Sequence, residues 1–227
     1  MSPGPGLPTV AQAREELVLL HRELVRYNLV AWTAGNVSAR AVDEDGQGVL
    51  VIKPSGLDYD VLAADKMIVC DLDGTVRTGS LAPSSDTAAH AFVYRHMPEV
   101  GGVVHTHSTY ACAWAARREP IPCVLTAMAD EFGGPIPVGP FAIIGDDSIG
   151  RGVVATLRNS RSPAVLMANH GVFTIGRTAR DAVKAAVMCE DVARSVHLSR
   201  QLGSPVPIEQ ESIDRLYDRY QNVYGQR

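Results

Sequence analysis

Between Pro163 and Gly176 the chain reads PAVLMANHGVFTIG. Two short apolar runs flank the tetrapeptide Ala168-Asn169-His170-Gly171. Strands joined over so short a distance pair antiparallel, because a parallel pair needs a crossover of a dozen or more residues. The region 49–76 repeats the theme: VLVIK and MIVCD are short β-branched runs, and Asp73-Gly74 is a turn signal. Before them, TAGNVSAR is polar and glycine-bearing, whereas VGGVVHTH reads as a core strand.

Helical signals are interspersed with these strands. Leu17, Leu20, Leu24 and Tyr27 recur at helical spacing, and Thr9 with Gln12 has the spacing of a capping box. Ser84-Ser85-Asp86 looks like a helix start leading into Thr87–Met97, which Pro98 ends. Further helices are expected over Asp147–Asn159, over Thr178–Leu202 (stopped by Gly203 and Pro205) and over Ile208–Tyr224. Hairpins in place of regular βαβ repeats predict an α/β or α+β fold with a mixed, largely antiparallel sheet covered by helices. No internal repeat or linker interrupts the chain, so a flexible leader over residues 1–8 and one domain over 9–227 are expected.

Composition narrows the function. A formal net charge of −4 leaves no basic surplus to replace phosphate counterions, which argues against nucleic acid as a partner. No apolar run is long enough to span a bilayer, and MSPGPGLPTV lacks the basic and apolar regions of a signal peptide. Cys70, Cys112, Cys123 and Cys189 form no CxxC pair, and three of them lie in apolar stretches, as expected of buried thiols in a reducing cytoplasm. Neither a GxGxxG nor a Walker loop is present, which weakens dinucleotide and P-loop readings.

His105 and His107 stand one residue apart at the end of an apolar run. Alternate residues of a strand share a face, so the two imidazoles would project in parallel, as a chelate requires. His170, beside a glycine in the hairpin turn, supplies a third at a sheet rim. Three histidines with an open fourth position are the composition of a catalytic zinc centre, with manganese or cobalt as alternatives. The remaining histidines, His21, His90, His96 and His197, lie in helical stretches and are expected to be core or solvated side chains.

Three further segments share a chemistry: Gly35-Asn36-Val37-Ser38, Lys53-Pro54-Ser55-Gly56 and Ser84-Ser85-Asp86. Each joins hydroxyl or amide groups to backbone N–H groups beside a glycine or at a helix start. Lys53 adds a compact positive charge, and a helix N-terminus favours an anion. Singly each segment reads as a turn or a cap; together they suggest a phosphate cradle built by several loops. Asp86 can be a fourth metal ligand, a local base or the N-cap of the helix that follows.

The segments TAGNVS, KPSG, PSSDTAAH, GGVVHTHS, ANHG and VYGQ, in this order and over nearly the whole chain, resemble the class II aldolase/epimerase superfamily. The resemblance implies a zinc-dependent enzyme acting on a small sugar phosphate. It also implies a three-layer fold with a central, mostly antiparallel sheet, and a C4 homotetramer whose active sites lie at subunit interfaces. It assigns His105, His107 and His170 as zinc ligands, and Asn36, Lys53, Ser55, Gly56, Ser84 and Ser85, with Gly35 beside them, to phosphate and substrate contacts. Within the superfamily, SSD, HTHS and Thr126-Ala127-Met128-Ala129-Asp130 are similar to the L-ribulose-5-phosphate 4-epimerases. Asp130 then falls on a catalytic aspartate and Tyr224 on a catalytic tyrosine, expected to act from a neighbouring subunit. The L-fuculose-1-phosphate aldolases are the alternative, and GPFAIIGDDSIG is more like them. A non-catalytic scaffold of the adducin-head type is a remoter one.

Overall fold

Both expected hairpins lie in one eight-stranded sheet. The computed structural model describes residues 6–223. Its strands are β1 (Asn36–Val42), β2 (Gly48–Ile52), β3 (Ile68–Asp71), β4 (Val76–Thr78), β5 (Gly102–Thr106), β6 (Val138–Gly139), β7 (Ala164–Met167) and β8 (Val172–Gly176). They lie in the order β4-β3-β2-β1-β5-β8-β7-β6. Every neighbouring pair is antiparallel except β6 and β7, which run parallel, so the sheet is mixed as the hairpins predict.

Seven helices cover it among the described residues: α1 (Val10–Arg26), α2 (Thr87–His96), α3 (Thr109–Arg117), α4 (Thr126–Phe132), α5 (Ser148–Leu157), α6 (Ala179–Leu202) and α7 (Gln210–Asn222). The Thr9–Gln12 capping box forms at α1, and Thr178 with Asp181 makes a second one at α6. α1 and the start of α6 bury Leu17, Leu24 and Val183 against Val37, Ala39, Val51 and Val104 on one sheet face. α2 and α5 bury Val93, Tyr94, Ile149 and Val153 against Leu50, Ile52, Val103 and Phe173 on the other. A third cluster joins α3, α4, the later turns of α6 and Ile213 of α7 to Leu166 and Val172.

β1 is the strand whose polarity hides it. Val37, Ala39 and Ala41 face the α1 side, as period 2 requires. The opposite face carries Ser38, whose hydroxyl is bonded to His90 Nδ1 at 2.7 Å and Tyr94 Oη at 2.8 Å on α2. Ser38 is tolerated in this interior position because its hydroxyl is satisfied there.

Of the other histidines, His21 and His90 are buried, while His96 and His197 are exposed. The four cysteines are free thiols; Cys70, Cys123 and Cys189 are buried and Cys112 is half-buried. Most of the leader lies outside the described residues, but Pro8 is tied down by accepting the Val42 N–H at 3.0 Å.

The antiparallel order decides what meets at one end of the sheet. Asn36, the first residue of β1, is paired with His105 near the end of β5, and Ser38 with Ile52 at the end of β2. β8 lies on the other side of β5 with Phe173 opposite His105, so the β7–β8 turn carrying His170 reaches the same rim. Lys53 follows Ile52 directly, and its carbonyl accepts the Ser84 N–H at 3.1 Å, which brings in the segment leading to α2.

Candidate active site

At this rim lies a cavity of about 300 Å³. Gly35, Asn36, Lys53, Ser55, Gly56, Ser84, Ser85, Asp86, His105, His107 and His170 all line it. Sequence segments far apart in the chain therefore converge on one concave surface, the usual form of a small-molecule site.

One wall is imidazole. The ligand-capable atoms of His105, His107 and His170 lie within 4.8 Å of one another, and Nε2 of His105 is 2.9 Å from Nε2 of His107. The period-2 relation persists although β5 ends at Thr106. His105 Nδ1 donates to the Val172 carbonyl at 2.9 Å, which fixes the tautomer and leaves the Nε2 lone pair for the cavity. Burial draws the His105 pKa down to about 3, and the other two imidazoles add to the effect against the opposing charge of Asp86. His170 is also lowered, by burial first and then by His107. Neutral imidazoles are the form a metal requires. Nδ1 of His170 is buried with no hydrogen-bond partner among the described residues. An orphaned buried nitrogen beside two imidazole Nε2 atoms that already approach to 2.9 Å fits a divalent ion, so the triad is able to hold one.

The turn that presents His170 is shaped for the purpose. Asn169 takes φ +56°, its N–H bonds to the Ala115 carbonyl at 3.0 Å, and the His170 N–H bonds to Met167 O at 3.0 Å. Gly171 must be glycine: a Cβ there would lie 2.6 Å from Thr106 O and 2.9 Å from His107 Cδ2.

Asp86 faces the cavity but stands outside the three-histidine cluster. It occupies the N-cap position of α2 without making a side-chain cap; instead its Oδ2 accepts Asn36 Nδ2 at 2.7 Å. Burial alone would raise its carboxyl pKa, but the His105 and His90 imidazoles and the Asn36 amide outweigh that and hold it low.

The rest of the lining is suited to an anion. Asn36 Nδ2 also donates to Ser84 Oγ at 3.0 Å. Lys53 is only 2 % exposed, and its ammonium donates to the Thr33 and Pro54 carbonyls at 3.2 and 3.3 Å. Burial lowers its pKa, with Asp58 pulling the other way. Thr33, Ala34, Pro54 and Ile144 complete the lining. The first three belong to the TAGNVS and KPSG segments, whereas Ile144 comes from the GPFAIIGDDSIG segment, where the sequence marked a likeness to the aldolases but no site residue.

One expected residue stands elsewhere. Asp130, on α4, does not line this cavity; its Oδ1 is buried without a hydrogen-bond partner among the described residues. Tyr224 lies outside the described residues.

The model of the class II aldolase and adducin N-terminal domain family matches residues 15–197. The chain belongs to that family. Among its relatives, the L-ribulose-5-phosphate 4-epimerase UlaF of Salmonella paratyphi B is 37 % identical over 227 residues, covering 94 % of this chain and 98 % of that one. An L-fuculose 1-phosphate aldolase structure superimposes with a TM-score of 0.85 at 26 % identity, covering 96 % of this chain and all 100 % of the other. YgbL from Klebsiella pneumoniae superimposes at 0.77 with 29 % identity, over 92 % and 99 % of the two chains. The class II aldolase fold expected from the sequence is the fold observed, and the cavity lies within the span that the family model covers.

Proposed function

We propose that this class II aldolase family member is a metal-dependent L-ribulose-5-phosphate 4-epimerase that interconverts L-ribulose 5-phosphate and D-xylulose 5-phosphate. The observation that carries the reading is one cavity lined both by a three-histidine cluster and by Lys53, Asn36 and serine hydroxyls. The 37 % identity to an L-ribulose-5-phosphate 4-epimerase along nearly all of both chains supports this substrate.

The hydrogen at C4 of such a sugar is not acidic, so the centre inverts through cleavage and re-formation of the C3–C4 bond. When bound to the three imidazoles, zinc (or manganese or cobalt in its place) supplies Lewis-acid stabilisation of the negative charge left on the ketone half. Lys53, Asn36, Ser55, Gly56, Ser84 and Ser85 hold the phosphate of the aldehyde half, so it turns in place without leaving. Asp86, fixed by Asn36, serves as a further metal ligand or local base. Asp130 and Tyr224 exchange protons on opposite faces of the aldehyde, contributed by a neighbouring subunit.

The protein would work as a cytoplasmic homotetramer, with one domain over 9–227 in each subunit. Near the cavity Trp32, Phe141, Ile143 and Ile144 are 87 %, 59 %, 75 % and 51 % exposed, an apolar rim suited to cover by another subunit. Asp130 standing outside its own cavity agrees with service to a neighbour's. No helix among the described residues is long and apolar enough to cross a membrane.

The test is an assay of zinc-loaded protein with L-ribulose 5-phosphate, in which D-xylulose 5-phosphate is the expected product. The 0.85 TM-score with an L-fuculose 1-phosphate aldolase favours one alternative. Cleavage of L-fuculose 1-phosphate to dihydroxyacetone phosphate and L-lactaldehyde, with no epimerisation of the pentose, would establish it instead. A purified protein that neither acquires metal nor turns over either sugar would be a scaffold.

A further inference from the structure

Tyr59 follows the Lys53–Gly56 segment at the start of a short 3-10 turn, Tyr59–Val61, and is not part of the cavity lining. Its hydroxyl nevertheless reaches two successive carbonyls of the opposite loop, Ala34 O at 2.8 Å and Gly35 O at 3.1 Å. The carbonyl before them, Thr33 O, accepts from Lys53 Nζ at 3.2 Å. Three consecutive carbonyls are thus committed to two donors of the 53–59 segment, the buried Lys53 and the half-buried Tyr59. In a planar peptide the N–H points opposite the C=O, so each carbonyl held back turns the amide of the next residue the other way. The Ala34 N–H is itself engaged by Ala31 O at 3.0 Å and Asn36 is paired with His105, so the loop is braced along its length, and Tyr59 decides where its carbonyl dipoles point. The backbone at Gly35 fits such a loop: φ is +80°, and a Cβ there would lie 2.5 Å from Val30 Cγ1.

Tyr59 also touches the cationic half of the same wall. The Lys53 ammonium lies 5.1 Å from its ring centroid, a cation–π contact beneath a buried charge. Burial pushes the phenol pKa up, so the hydroxyl keeps its proton and remains a donor at neutral pH. On the far side, its ring lies 5.9 Å from that of His21, which is itself fixed between Leu17 O and the Val37 N–H.

We propose that Tyr59 is a positioning residue for phosphate recognition, holding the Ala34 and Gly35 carbonyls off the cavity and the Lys53 ammonium on its ring. The inference deepens the sugar-phosphate reading and rests on it for the natural ligand. Without the hydroxyl, two partial negative charges are free to swing towards the anion, so the loss falls on phosphate affinity and leaves the bond-breaking chemistry intact.

The experiment is calorimetric titration of inorganic phosphate into full-length, zinc-loaded Tyr59→Phe, which deletes the hydroxyl and keeps the ring. The dissociation constant is expected to rise about five- to tenfold, the usual weight of such a hydrogen bond. Metal content should equal that of the wild type, and KM for L-ribulose 5-phosphate should rise in parallel while kcat stays within about twofold. Tyr59→Leu, which also removes the ring from Lys53, should weaken phosphate further. Unchanged phosphate affinity in both variants, or a fall in kcat at constant KM, would overturn the proposal, as would a wild-type protein that binds no phosphate. If phosphate binding depends on Tyr59 but L-ribulose 5-phosphate is not epimerised, the positioning role stands and only the substrate assignment falls.

Discussion

His105 enters the cavity from the middle of an eight-stranded sheet, with β1 paired on one side and β8 on the other, whereas Thr33–Gly35 and Lys53–Gly56 reach it as turns just outside that sheet. The histidine wall takes its geometry from strand ladders and from the close approach of Gly171. The anion wall takes its geometry from side chains that grip the backbone: Lys53 on Thr33, Tyr59 on Ala34 and Gly35, His21 on Val37. The first arrangement is rigid but chemically incomplete, because its orphaned imidazole nitrogen asks for an ion. The second has its Lys53 ammonium and Asn36 amide nitrogen engaged, leaves the Asn36 amide oxygen buried without a hydrogen-bond partner among the described residues, and offers positive charge that wants a counter-ion. Damage to the first wall should therefore appear as lost metal, and damage to the second as lost affinity.

The sharpest way to break this contrast is His107→Asn. It should reduce bound zinc, measured by elemental analysis after dialysis, and lower turnover on the order of a thousandfold, the several kcal/mol that Lewis-acid stabilisation supplies. Full metal content with full turnover would refute the role given to the wall. Next in size is Lys53→Met, similar in volume but uncharged. Loss of a charge-assisted contact to phosphate should raise KM by about ten- to a hundredfold while zinc content is unchanged. If Lys53→Met lost its zinc, the two walls would be one energetic unit and the contrast would fail.

The same contrast explains what the sequence made legible. His105 and His107 could be paired in advance because period 2 is a local property of extended chain, and the ANHG turn was readable from its own glycine. β1 was not, since Ser38 is made tolerable by His90 and Tyr94, 52 and 56 residues further on. α3 was hidden for a related reason. Ser108 occupies its N-cap position without capping it, and the first-turn N–H groups of Tyr110 and Ala111 are taken by the Glu190 carboxylate of α6, both at 2.9 Å. A helix start satisfied from 80 residues away leaves no capping signal in the local sequence. The grip of Tyr59 on the anion loop was equally invisible, because nothing about a tyrosine in a short turn announces which carbonyls it meets. The phosphate wall was inferred from residue types that suit an anion, and its framework emerged only with the fold.

That framework carries a pH signature of its own, read in stability and not in turnover. His21 is fully buried, with Nδ1 donating to Leu17 O at 2.6 Å and Nε2 accepting the Val37 N–H at 3.0 Å, so protonation would break its bond to β1. Burial lowers its pKa from 6.5 to about 3, with the Leu17 carbonyl opposing and the Lys53 charge assisting. Below the unfolded value of 6.5 the unfolded chain binds a proton that the folded chain refuses, down to about 3. Stability from this group is therefore complete above 6.5 and is lost as the pH falls through that window, at about 1.4 kcal/mol per pH unit. Urea denaturation at a series of pH values should show His21→Asn less stable than wild type at pH 7 and flatter by about that slope in acid. Because His21 braces the anion wall and not the metal wall, removing zinc with a chelator should shift both curves without changing the difference between their slopes. A difference that vanished with the metal would mean that the two walls fold and titrate as one.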